Sequence, residues 1–81
     1  MDAVDLLARN VRKLRKEKGL SQEALALDSD MKRSYLSDLE RGQRNPSVRA
    51  LGRLAAALGV PPHRLLEPGD TCVSSPLPDT D

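Results

Sequence analysis

Three glycines, Gly19, Gly42 and Gly59, do most to limit what this chain can fold into. Each follows a stretch that reads as helix, and each stands where that helix would stop. Gly19 suits the left-handed position just past a helix C-terminus. The stops divide the chain into short helices that cannot be stable alone and must pack together. With 81 residues there is room for one small domain and a single core. Hydrophobic residues make up 38% of the chain and aromatics 1%, so that core has to be built from Leu, Ala and Val. Leu and Ala favour helix. Long alternating β-branched or aromatic runs are absent, so an all-α fold is expected.

The elements can be placed in turn. Asp2 is positioned to cap a first helix over about residues 2–18, with Asp5 adding favourable charge to its first turn. Val4, Leu7, Val11 and Leu14 form one apolar stripe along it. Arg12, Lys13, Lys16 and Lys18 crowd its C-terminal half, where they suit the helix dipole. Ser21 caps a second helix that ends near Asp28, with Ala24 and Leu25 facing inward. After the link Ser29-Asp30-Met31, a third helix spans about residues 32–41. The polar loop Gln43-Arg44-Asn45 leads to Pro46-Ser47, which open a fourth helix capped by Ser47 or Asn45. Its apolar stripe is Val48, Leu51, Leu54, Ala55 and Leu58. Pro61-Pro62 start a short fifth helix that carries Leu65 and Leu66. The domain thus covers residues 1–66. Residues 67–81 are rich in Pro, Ser, Thr and acid, with too few apolar groups to offset the entropy of ordering. A flexible tail is expected there.

Charge is segregated along the chain. The formal net charge is +1, yet all 13 Lys and Arg lie between Arg9 and Arg64. Six acids share that span, which leaves a local balance of +7. A basic middle suits a polyanion such as DNA, although a solvated surface would also carry such charges. Several classes fall away. One cysteine, Cys72, allows no internal disulfide, and no Cys/His cluster offers a metal site. His63 stands alone and reads as a surface or interface histidine. No serine lies in a nucleophile context, no Gly-rich phosphate loop exists, and no titratable pair is arranged for acid–base work. The chain is therefore not expected to be an enzyme or to need a cofactor. No apolar stretch approaches the roughly 20 residues of a membrane span, and no signal peptide is visible. A cytoplasmic location is expected.

The third helix has two unlike sides. On a wheel of about 100° per residue, Leu36 and Leu39 point one way. Arg33, Ser34, Ser37 and Arg41 point the other. A helix that reads DNA needs this division: one side packs on the scaffold, the other offers hydrogen bonds to base edges in the major groove. An ordinary amphipathic surface helix shows the same division. Arg33, near the N-terminal end, could form a bidentate contact to guanine O6 and N7.

Linear motifs go further. Leu20-Ser21-Gln22-Glu23, Arg33-Ser34-Tyr35-Leu36-Ser37, Leu39-Glu40-Arg41-Gly42, Arg44-Asn45-Pro46-Ser47 and Leu54-Ala55-Ala56-Ala57-Leu58-Gly59-Val60 together resemble the Cro/repressor-type, Xre-like helix-turn-helix family. The match runs without a gap over about residues 7–66. Within that family, residues 30–37 followed by Arg44-Asn45 look most like the small controller proteins of restriction–modification systems. The resemblance implies a five-helix, lambda-repressor-like domain, usually a dimer on a palindromic operator. It assigns Gln22 to a phosphate contact and to bracing the recognition helix. Arg33 and Ser34 take the first base-reading positions, and Ser37 and Asp38 later groove-facing ones. Arg44 and Asn45 fall in the loop that grips the DNA backbone. Tyr35, at the edge of the apolar side, could pack or donate to a phosphate. A carboxylate at Asp38 would repel phosphate, but it could accept from cytosine N4 or orient Arg41 or Arg33. Arg15 and Glu40 match a pair that forms a buried salt bridge between the first and third helices.

Two positions depart from the family pattern. Asp30 stands where the turn usually has Gly, at a position that often needs a left-handed backbone; Asp tolerates this better than most residues. Lys32 replaces the usual Ser or Thr cap of the recognition helix. The cap either shifts to Asp30 or is lost, and a lysine there suits a phosphate but not the helix dipole. The expected function is a sequence-specific transcriptional regulator acting on double-stranded DNA as a homodimer. Its dimer surface would involve Val60, Leu65, Leu66 and His63. The alternative is an antitoxin or protein-interaction module whose tail holds a partner protein.

Overall fold

The computed structural model describes residues 2–68, and these form α1 (Ala3–Glu17), α2 (Gln22–Asp28), α3 (Arg33–Glu40), α4 (Val48–Leu58) and a final 3₁₀ turn (Pro62–Leu66). The fold is all-α. The fifth element is a 3₁₀ turn and not an α-helix, which corrects the expected count of five. Pro61 and Pro62 lack N–H groups, and the five residues close through tighter bonds, such as Arg64 N–H to the Pro61 carbonyl at 3.0 Å. Residues 69–81, which include Cys72 and nearly all of the expected tail, lie outside the described residues.

Local chemistry sets the helix starts. Asp2 accepts from the Val4 N–H at 2.6 Å, Ser21 from Ala24 at 3.0 Å and Ser47 from Ala50 at 3.1 Å. Lys32 opens α3 without any side-chain cap, so the cap is lost and not shifted to Asp30.

The four α-helices end alike. Leu20, Met31, Gln43 and Val60 each donate a backbone N–H to the carbonyl five residues back, at 2.9–3.0 Å. The residue just before each donor is left-handed: Gly19, Asp30, Gly42 and Gly59, at φ 71°, 57°, 74° and 73°. This is the Schellman ending, used once with a residue that has a Cβ. Asp30 is the only non-glycine with positive φ among the described residues. Asp30→Gly is expected to raise stability by about 0.5–1 kcal/mol, read as a higher thermal midpoint. Gly42 has a second constraint, since a Cβ there would lie 2.8 Å from the Asp5 Oδ1.

The core is aliphatic. Val11, Leu25, Leu36, Leu39, Leu54 and Leu65 are sealed from solvent, with Leu7, Leu14, Ala26, Ala55 and Leu58 around them. The 3₁₀ turn packs on α1 and α4, while α2 packs on α3. Asn10 is buried on the apolar side of α1 and donates to the carbonyls of Leu65 and Glu67, both at 2.8 Å. This polar fastener holds the 3₁₀ turn against the first helix.

Two expectations about burial need correction. Val48 does not belong to the α4 stripe, being 84% exposed. It lies about 100° around the helix from the line through Leu54 and Leu58, and Ala50 takes the inward place instead. Leu65 is 0% exposed, held beneath α1 and α4, so it belongs to the core and leaves the expected dimer surface.

Candidate nucleic-acid interface

The geometry of α3 depends on what lies beneath it. Leu36 and Leu39 are fully buried, and Glu40 is 3% exposed. A carboxylate in such a place must be paired. Arg15 reaches it from α1, with Nε to Oε2 at 2.7 Å and Nη2 to Oε1 at 3.1 Å. Gln22, the first residue of α2, donates its Nε2 to Oε1 at 3.1 Å. The Arg15 Nη1 also donates to the Leu20 carbonyl at 2.9 Å, just before α2. One carboxylate thus ties three helices and the α1–α2 turn to a single point. This fixes how α3 stands relative to α2.

The other side of α3 faces solvent. Arg33, Ser34 and Arg41 are exposed; Ser37 and Asp38 are half-buried. Lys32 is exposed at the uncapped N-terminal end. Past the helix, Arg44 and Asn45 lie exposed on the loop to α4. Tyr35 is half-buried against the core, and the Arg44 guanidinium sits 4.6 Å from its ring centroid. Asp38 joins this group, with one oxygen bonded to the Arg41 Nη2 and the other 3.7 Å from the Arg44 Nη2. The Arg41 Nη1 also lies 3.4 Å from the Ser37 hydroxyl. Asp38 is therefore engaged with Arg41 and Arg44; no bond to Arg33 is formed.

The residues expected at a dimer surface divide. Val60 is half-buried against the core, His63 is exposed and Leu66 is 41% exposed. Leu66 rims an apolar groove of about 200 Å³ whose walls include Val4, Leu7, Pro46, Val48 and Leu51. The apolar run places Val48 with the core residues of α4, and the structure puts it on the groove rim. Its position on the wheel, off the line of Leu54 and Leu58, is the signal that places it outside. Asn10 was also missed. A lone polar residue on the Leu7–Leu14 side is the signal for it.

Two helices joined by a four-residue turn, the second with a sealed inner side and a polar, arginine-bearing outer side, define a helix-turn-helix DNA-binding domain. Residues 11–65 match the HTH_3 helix-turn-helix family, and the chain belongs to it. It is 49% identical over 70 residues to the uncharacterised HTH-type transcriptional regulator y4dJ of Sinorhizobium fredii, covering 86% of this chain and 91% of that relative. The restriction-modification controller protein C.AhdI from Aeromonas hydrophila superposes with a TM-score of 0.75 at 45% identity, over 76% of this chain and 94% of that one. The master regulator for biofilm formation SinR, solved in complex with DNA, superposes with a TM-score of 0.72 at 39% identity, over 75% and 98% of the two chains.

Proposed function

We propose that this chain is a sequence-specific transcriptional regulator that binds a palindromic operator as a homodimer, with α3 in the major groove. The observation that carries this reading is the division of α3. Leu36, Leu39 and Glu40 are locked into the scaffold while Arg33, Ser34, Ser37 and Arg41 are left outside. Arg33 and Ser34 read base edges; Gln22, Lys32, Arg44 and Asn45 serve the backbone on either side. The likeness to C.AhdI and to SinR bound to DNA supports the reading, and the former favours a controller role.

Dimerisation follows from the geometry of a palindrome, whose half-sites lie one turn apart, roughly 34–36 Å. The groove edged by Val48 and Leu66 is the apolar surface a second copy would cover. The experiment is selection of a binding site from a random duplex library, followed by fluorescence anisotropy over a range of salt and protein concentration. An inverted repeat should emerge, with affinity falling steeply as salt rises. Arg33→Ala should cost about 1–3 kcal/mol at the selected site and relax the preference at one base pair per half-site. A selected site that keeps its full preference in this variant would show that Arg33 does not read a base.

A further inference from the structure

We propose that Asp38 is a specificity-determining positioning residue: it holds Arg41 and Arg44 away from indiscriminate phosphate contact, and so favours the operator over random DNA. The proposal rests on the DNA-binding reading above. It starts from an anomaly: the outward side of α3, which should welcome a polyanion, carries a carboxylate. That carboxylate is not idle. One oxygen is bonded to the Arg41 Nη2 and the other lies 3.7 Å from the Arg44 Nη2. Arg44 is held from a second direction by the Tyr35 ring, 4.6 Å from its guanidinium carbon. Arg41 is steadied by Ser37 at 3.4 Å. Two cations flanking the groove-facing surface are thus occupied before any DNA arrives.

Binding to random DNA comes almost wholly from exchanging condensed counterions for protein cations, and each phosphate neutralised adds about 0.9 to the salt slope. An arginine already paired with a carboxylate must lose that partner to make the exchange, and the uncovered carboxylate then faces the phosphates. Both effects weaken any complex in which the two arginines are drawn to phosphates. At a matching site the helix is seated by its base contacts. There the Tyr35 ring still presents Arg44 in one orientation, and Asp38 can keep Arg41. The operator complex therefore loses less than the random one, and discrimination rises without a new attractive contact.

The test measures affinity for two duplexes of equal length, one with the selected operator and one of random sequence. Asp38→Asn should tighten binding to the random duplex by roughly five- to tenfold near 0.1 M salt. It should also steepen its salt slope by about 0.9 for each arginine released. The operator affinity should change much less, so the ratio of the two falls several-fold. In an Arg41→Ala, Arg44→Ala background the same substitution should no longer steepen the salt slope by about 0.9 per arginine, because there is no arginine to release; only the repulsion of one bare carboxylate is relieved. Asp38→Ser serves as a second variant, and the thermal midpoint of each reports folding. Equal tightening on both duplexes would overturn the proposal, as would a salt-slope change on Asp38→Asn that is undiminished without the two arginines. In both cases wild-type operator binding leaves the functional reading standing. If the wild-type chain binds neither duplex, the functional reading fails and the proposal with it.

Discussion

Glu40→Ala is expected to destabilise the domain by about 3–5 kcal/mol, because it leaves the Arg15 guanidinium at a nearly sealed site without its counter-charge. The scale of this loss follows from the size of the protein. At about 0.05–0.15 kcal/mol per residue, a domain of this length has only a few kcal/mol to spare. Most of the stability would go, and the thermal midpoint should fall by tens of degrees at the upper end of the range. Two further variants separate the charge from the packing. Arg15→Ala should cost a comparable amount by stranding Glu40. Replacing both partners with apolar residues, Arg15→Met with Glu40→Leu, should recover much of the loss, since a buried pair exchanged for hydrocarbon is often neutral or stabilising. The recovered domain should still bind DNA less well, because Gln22 loses the acceptor that ties α2 to α3. A Glu40→Ala protein that melts with the wild type would show that the three-helix junction contributes nothing.

The second large effect separates two adjacent leucines. Leu65 is sealed beneath α1 and α4, whereas Leu66 stands at the rim of the apolar groove. Leu65→Ala should destabilise the domain by about 2–5 kcal/mol through lost contacts and the cavity left behind. Leu66→Asp should leave the isolated domain within about 0.5 kcal/mol of wild type. In sedimentation velocity, however, it should shift the protein to monomer and remove the concentration-dependent gain at a two-half-site operator. Val48→Asp should act in the same way from the other rim. If Leu66→Asp and Val48→Asp sediment as the wild type does, this groove is not a surface that joins two copies.

The endings and beginnings of the helices are legible in the chain because they are local matters. A glycine at Gly19, Gly42 or Gly59 answers a backbone torsion set by its own turn, and Asp2, Ser21 and Ser47 answer N–H groups two or three residues away. Asp30 entered through the family pattern, which usually has Gly in that turn. Its left-handed turn is decided within a few residues, and the side chain only modifies the cost. The two sides of α3 are legible through their period.

The rest depends on elements that are remote in the chain. Arg15 and Glu40 are 25 residues apart. No spacing rule joins them; their pairing entered through family resemblance, and the place of Gln22 in the same junction is a matter of geometry. Leu65 and Leu66 are chemically identical neighbours, and only the packing of the 3₁₀ turn under α1 and α4 decides which one is core. Asn10 could be seen as a polar residue on an apolar side, but not which carbonyls it would meet, 55 and 57 residues away. Asp38 lies between the two cases: Arg41, three residues on, is one of the two partners the sequence leaves open, while Arg44 comes from the loop past the helix. The sequence by itself determined four of the five helices it leads one to expect, the glycines that stop three of them, and an arginine-bearing outer side on the third. The tertiary structure alone decided that Leu65 and not Leu66 is core, and which carbonyls Asn10 meets, because both depend on segments far apart in the chain. A local rule can state a side chain's direction, but its partner is whatever the fold brings within reach.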